Sequence, residues 1–191
     1  VKNISLEDRC DEQTFLVNGR RRRVRVEVIA SIANSKILAS SAVHVGYVEL
    51  PGGGMDKGEN PIQTAEREGR EEAGWALCNL KVYETSDAYV YVAPEGSWLK
   101  ENNYDEESTC FVIGNVTKYS PTNDLNSQGD AARYELLPID QVIRETKEVI
   151  EANKDERGVH IAKARLTVLE DLFGKSRPVV EHLKPPLYEK W

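Results

Sequence analysis

Apolar and polar positions alternate along the first third of the chain, which predicts β-structure there. TFLV (14–17) precedes Asn18-Gly19, a dipeptide suited to a two-residue hairpin turn, and RRRRVRVEVIASIAN (20–34) follows with a stretch of period two. SKILAS (35–40) and YVEL (47–50) predict short strands, the second running straight into Gly52-Gly53-Gly54. Further on, LKVYETSDAYVYVAP (80–94) reads as one or two strands and ESTCFVIGNVTKY (107–119) as another. Helical spacing takes over late: IDQVIRETKEVIEAN (139–153) begins a helix near Ile139. A second amphipathic helix runs through Ile161, Ala164, Leu166, Val168, Leu169 and Leu172 and stops at Gly174. Two polar, turn-rich segments, 93–108 and 120–132, are long enough to be functional loops.

Between these strands lies one helix with strong boundary signals. Asn60 can cap it, Pro61 suits its first position, Gln63 completes a capping box and Gly74 can end it in the left-handed region, so the predicted span is Pro61 to Ala73. Glu68, Glu71 and Glu72 then stand at i, i+3 and i+4 on one face. The last two fall where the helix dipole disfavours anions by roughly 0.3–1 kcal/mol each, and like-charge spacing adds about 0.2–0.5 kcal/mol. Arg67 and Arg70 offset part of this. A divalent cation held by carboxylate oxygens relieves most of it, which points to Mg²⁺ or Mn²⁺.

The spacing Gly53, five residues, Glu59, seven residues, then Arg67-Glu68-Gly69-Arg70-Glu71-Glu72-Ala73-Gly74-Trp75 resembles the box of the Nudix hydrolase family. Gly69 departs from the pattern, because the family usually has an aliphatic residue there. It shares the sheet-facing side with Ile62, Ala65 and Ala73, so close helix packing is expected. The resemblance implies an α/β/α sandwich with a mixed β-sheet, here extended by a C-terminal helix and tail. Its parts are expected to be an arm at 1–13, the hydrolase domain at 14–153, and the helix and tail at 154–191, packed on the domain or on a partner. It also implies hydrolysis of a nucleoside diphosphate linked to another group. Glu68, Glu71 and Glu72 are the expected metal ligands, with a backbone carbonyl of Gly52 or Gly53. Arg67 is expected to orient a box glutamate, and Glu59 to brace the loop. Glu71 is the candidate general base, with Asp130 in the loop before the late strand as its rival.

Substrate identity is read outside the box. Arg23 and Arg25 share a strand face, as do Tyr89 and Tyr91, and Trp98 sits in a polar loop. These are the candidate substrate contacts, weighed against a solvated Arg20–Arg23 run and core tyrosines. Tyr91, sixteen residues past Trp75, resembles the tyrosine that accompanies dinucleoside polyphosphate hydrolases. Pro94, nineteen past, fits the ADP-ribose pyrophosphatase pattern less well. ADP-ribose, nucleotide sugars and oxidised nucleoside triphosphates stay open. A nucleotide-sensing module with little turnover is the alternative, although such modules have generally lost the glutamates that are present here.

Composition narrows the partners. With 32 acidic and 25 basic residues the net charge is −7, which argues against a protein that coats nucleic acid. Cys10, Cys78 and Cys110 show no metal spacing and are odd in number, and no apolar run approaches a membrane span. The first residues, VKNISLEDRC, lack the apolar centre of a signal peptide, so a cytoplasmic location is expected. His44, His160 and His182 form no ligand set. A homodimer through the late helices or the tail stays open.

Overall fold

The computed structural model describes residues 14–33, 35–40, 48–83, 89–119 and 134–174. The predicted arm, His44, the 120–132 loop with Asp130, and the tail with His182, Tyr188 and Trp191 lie outside the described residues. In chain order the elements are β1 (Thr14–Val17), β2 (Arg20–Ile32), β3 (Lys36–Ser40), β4 (Gly52–Gly54), α1 (Pro61–Glu71), β5 (Trp75–Val82) and β6 (Val90–Val92). They continue with α2 (Trp98–Glu101), β7 (Glu106–Tyr119), β8 (Tyr134–Pro138), α3 (Ile139–Ala152) and α4 (Glu156–Phe173). The strands form a mixed sheet of order β5-β7-β2-β3-β8, with β1 and β4 also on β2 and β6 on β7. Only the β2–β7 pairing is parallel among the described strands.

Local signals place several elements directly. Asn18 and Gly19 both have positive φ, 52° and 76°, and join β1 to β2 as a hairpin. Asn60 accepts from the N–H groups of Ile62 and Gln63, while the Gln63 side chain accepts from the Asn60 N–H, so the capping box of α1 forms in full. The helix ends at Glu71, two residues short of the predicted end. Gly74 turns into the left-handed region at φ 68° and its N–H returns to the Arg70 carbonyl. The 93–108 segment is not wholly loop, since Ser97 caps the short α2 within it.

Period two on β2 separates two cores. Val24, Val26, Val28 and Ala30 pack with Ala65 and Ala73 of the α1 region, whereas Ile29 lies in the cluster formed with Val142, Ala164, Val168 and Leu169 of α3 and α4. The sheet is therefore sandwiched between α1 and the α3–α4 pair. Close packing at Gly69 is real: a Cβ there would meet Leu77 Cδ1 at 2.6 Å.

The odd-numbered face of β2 also carries charge. Glu27 is fully buried and accepts from Arg165 Nε and Nη2 at 3.0 and 2.8 Å, and Arg165 Nη1 donates to the Val48 carbonyl at 2.8 Å. Arg25 lies 3.5 Å from the same carboxylate. These two cations hold Glu27 below its ordinary pKa although burial pushes it up. The Arg20–Arg23 run is paired within the chain. Its parallel register with β7 sets Arg22 beside Glu106 and Arg23 beside Glu107, and Arg20 and Arg21 reach Glu106 and Asp105.

Two outcomes follow. Glu27→Gln leaves two buried guanidinium groups without their carboxylate and should cost about 3–5 kcal/mol in urea unfolding. Arg144→Ala, which breaks an exposed pair at 3.9 Å, should cost under about 0.5 kcal/mol. Asp105 is held down at about 2 by the Arg21 N–H and by Lys100, against 3.8 ordinarily. Its contribution is present above the unfolded value and is lost as pH falls through the folded one. The destabilisation caused by Asp105→Asn should therefore be full at pH 6 and shrink between pH 4 and pH 2, as read by denaturant titrations at each pH.

Candidate active site

The glycine strand and the end of α1 build the site together. Gly52 pairs with Glu27, and Gly54 with Arg25, in the β2–β4 register. A Cβ at Gly52 would stand 2.2 Å from the Val26 carbonyl oxygen, and one at Gly53 would stand 2.1 Å from Glu68 Oε1. Absence of side chains thus lets β4 lie against β2 on one side and lets the Glu68 carboxylate lie against β4 on the other. The Gly52 N–H donates to Glu72 Oε2 at 3.0 Å.

Arg67 organises the carboxylates. It donates to Glu59 at 2.9 Å, to Glu68 at 2.7 Å, to Glu71 at 3.3 Å and to the Gly54 carbonyl at 3.0 Å. Glu59 accepts further from Thr64 and from the Asp56 N–H, so it ties the loop to the helix. Those bonds hold its pKa low although burial opposes them. The same partners, led by the hydrogen bond to Glu59, keep Arg67 firmly charged.

Glu68 is buried and Glu72 half-buried, whereas the Glu71 side chain is 45% exposed. Burial pushes Glu72 up to about 7; the Gly52 N–H opposes the rise and neighbouring Glu68 adds to it. Burial raises Glu68 as well, against the pull of Arg67. Two adjacent carboxylates are therefore held where the surrounding positive charge does not fully compensate them. This donor set, hard oxygen and under-neutralised, fits a divalent cation. Among the described residues no three His, Cys, Asp or Glu side chains are gathered into one ligand sphere; Glu68 and Glu71 stand on Arg67 instead.

The sequence-predicted substrate residues fall into three places. Arg25 lies nearest the box: its charge acts on Glu68 and Glu72, and it lines a cavity of about 470 Å³ on the α3–α4 face. Arg23 is buried and pairs with Glu107, which also binds Arg157 at 2.9 Å through both of its oxygens. Both guanidinium groups lie over the ring of Trp98, at 5.4 and 5.8 Å, and the ring is 52% exposed. Tyr91 packs beside His160, and Tyr89 makes an edge contact with Phe111 in the core.

Two residues join the site without a sequence signal. The Tyr134 hydroxyl donates to Glu72 Oε2 at 3.4 Å, and burial keeps that phenol protonated. Glu49, held by backbone bonds to Ser40, adds negative charge near Glu72, Arg25 and Tyr134. Neither stands in a motif. Proximity to the glycine strand is what brings them in.

Residues 21–157 match the family described as the NUDIX domain, and the chain belongs to that family. Its members hydrolyse phosphoanhydride bonds and generally use divalent metal ions. Solved structures similar to this chain include a NUDIX hydrolase from Nitrosomonas europaea, 16% identical over 76% of this chain and 88% of that one, with a TM-score of 0.49. Another is the mutator MutT protein from Bacillus halodurans, 20% identical over 64% and 72% of the respective chains, TM-score 0.42. No curated protein matches the chain. Among the described residues no helix is long and apolar enough to cross a membrane.

The two glycines make separable predictions. In Gly53→Ala the new methyl meets only the flexible end of Glu68, so the melting temperature should stay within a few degrees while anhydride hydrolysis drops about 10- to 100-fold. Gly52→Ala meets backbone and should lower the melting temperature itself.

Proposed function

We propose that this chain uses Mg²⁺ or Mn²⁺ to hydrolyse a pyrophosphate bond in a nucleoside diphosphate derivative, such as a dinucleoside polyphosphate, ADP-ribose or a nucleotide sugar. The observation that carries the reading is the pair Glu68 and Glu72, desolvated side by side against a strand of glycines with their charge under-compensated. Glu68, Glu71, Glu72 and a carbonyl of Gly52 or Gly53 are the groups that would hold the cation. When bound, it supplies positive charge to the anhydride oxygens and acidifies a water.

The chain's own residues supply the rest. Arg67 fixes Glu68 by a charge-assisted bond, and the Gly52 N–H and the Tyr134 hydroxyl fix Glu72. Arg25 offers a guanidinium toward the phosphates, where a bidentate donor suits phosphate oxygens. Glu71, exposed on the same helix face, is the proposed acceptor of the water proton. Water oxygen bonds to one phosphorus as the bridging P–O bond breaks, and the two products are phosphate monoesters. Asp130, the rival base, lies outside the described residues.

The test is product release from a panel of nucleoside diphosphate derivatives with each metal, for the wild type and for Glu71→Gln. Hydrolysis by the wild type and its near-complete loss in a folded Glu71→Gln variant support the reading. Full activity of that variant with unchanged metal dependence overturns the role of Glu71. Nucleotide binding without turnover points instead to a sensing module.

A further inference from the structure

The cavity on the α3–α4 face has the size of a small-ligand site and a chemistry that discriminates among substrates. Arg25 and Glu49 line it and also act electrostatically on Glu72, so whatever enters it is attached close to the phosphates at the box. Its floor is Glu27 with two arginines, Arg25 and Arg165, which leaves one positive charge at the box end.

Away from Arg25 the sign reverses. Glu145 and Glu148 enter from α3, Asp155 from the turn before α4, and Glu49 from the opposite wall. A second phosphate placed among them would be repelled, so anionic groups belong at the Arg25 end only. Carboxylates that approach from three separate elements suit a ligand whose donors point in several directions. A polyol has such donors. A nucleobase has them along its edge and relies on its faces for stacking, but the apolar lining is Val48, Val149, Val159 and Ile161, and no lining side chain among the described residues is aromatic.

We propose that this cavity receives the glycosyl group of a nucleoside diphosphate sugar, with its hydroxyls donating to Glu49, Glu145, Glu148 and Asp155 while Arg25 faces the phosphates. The assignment rests on the hydrolase reading above and names its substrate class. A site built from hydrogen-bond acceptors rejects groups that leave those acceptors unpaired, so discrimination against a second nucleoside follows.

The experiment compares kcat/KM for ADP-ribose, ADP-glucose and UDP-glucose with that for diadenosine tetraphosphate and ATP, each with Mg²⁺ and Mn²⁺. It includes Ala152→Trp, which narrows the cavity at the end of α3, and Glu148→Lys, with melting temperatures as the check on folding. At least roughly tenfold preference for one of the sugar substrates is expected, together with roughly a fivefold or greater rise in its KM in either folded variant. Equal or better use of diadenosine tetraphosphate or ATP, or an unchanged sugar KM in both variants, overturns the cavity assignment and leaves the hydrolase reading intact. No hydrolysis of any anhydride overturns the hydrolase reading instead. Equilibrium binding of UDP-glucose and ADP-ribose then decides the cavity: binding weakened in Ala152→Trp supports it, and no binding, or binding unaffected by that variant, overturns it.

Discussion

The close approach of a side-chain-free strand to both its neighbours is the constraint on which the site depends. At Gly52 the limit is the Val26 carbonyl of the central strand, and at Gly53 it is the carboxylate of Glu68. Any larger residue would part β4 from β2 or push Glu68 out. With glycines in place, the end of α1 comes close enough for a backbone N–H to hold Glu72, and two carboxylates are desolvated together. Their raised pKa values are the electrostatic consequence of that packing, and affinity for a cation is its chemical one.

Charge elsewhere in the structure is handled by a repeated device, one buried glutamate shared by two arginines. Glu27 is shared by Arg25 and Arg165, and Glu107 by Arg23 and Arg157. In each group one guanidinium comes from β2 and the other from α4, so the last described helix is bolted to the central strand by ions as well as by Val168 and Leu169. Arg165 reaches further, to the Val48 carbonyl in the segment that feeds the glycine strand. Such groups add little net stability over an apolar equivalent but are costly to break. Here the excess positive charge of the first group sits at Arg25, beside the box, where phosphates would arrive.

Local chemistry made much of this legible in the sequence. Asn60, Pro61, Gln63 and Gly74 marked the helix because capping and left-handed backbone are set by residues a few positions apart, and Asn18-Gly19 marked the hairpin for the same reason. Ile139 was readable as a helix start, since the apolar spacing changes period there. Long-range pairing was not readable. Nothing in RRRR shows that it lies in parallel register with residues 105–107, more than eighty positions away, and the polar segment around Trp98 hides a short helix whose tryptophan is covered by arginines from β2 and α4. The roles of Glu27, Glu49 and Tyr134 are likewise set by what folds against them. Glu27 sits in an alternating strand whose pattern alone does not distinguish a buried ion from an exposed one.

The central claim is that Glu68 and Glu72 form a cation site against the glycine strand, and anomalous diffraction from crystals soaked in Mn²⁺ addresses it directly. The account predicts a Mn²⁺ peak bounded by those two carboxylates and by the Gly52–Gly53 backbone, and its absence in crystals of a Glu68→Gln, Glu72→Gln double variant. A peak elsewhere on the molecule, or none in wild-type crystals at millimolar Mn²⁺, would contradict it.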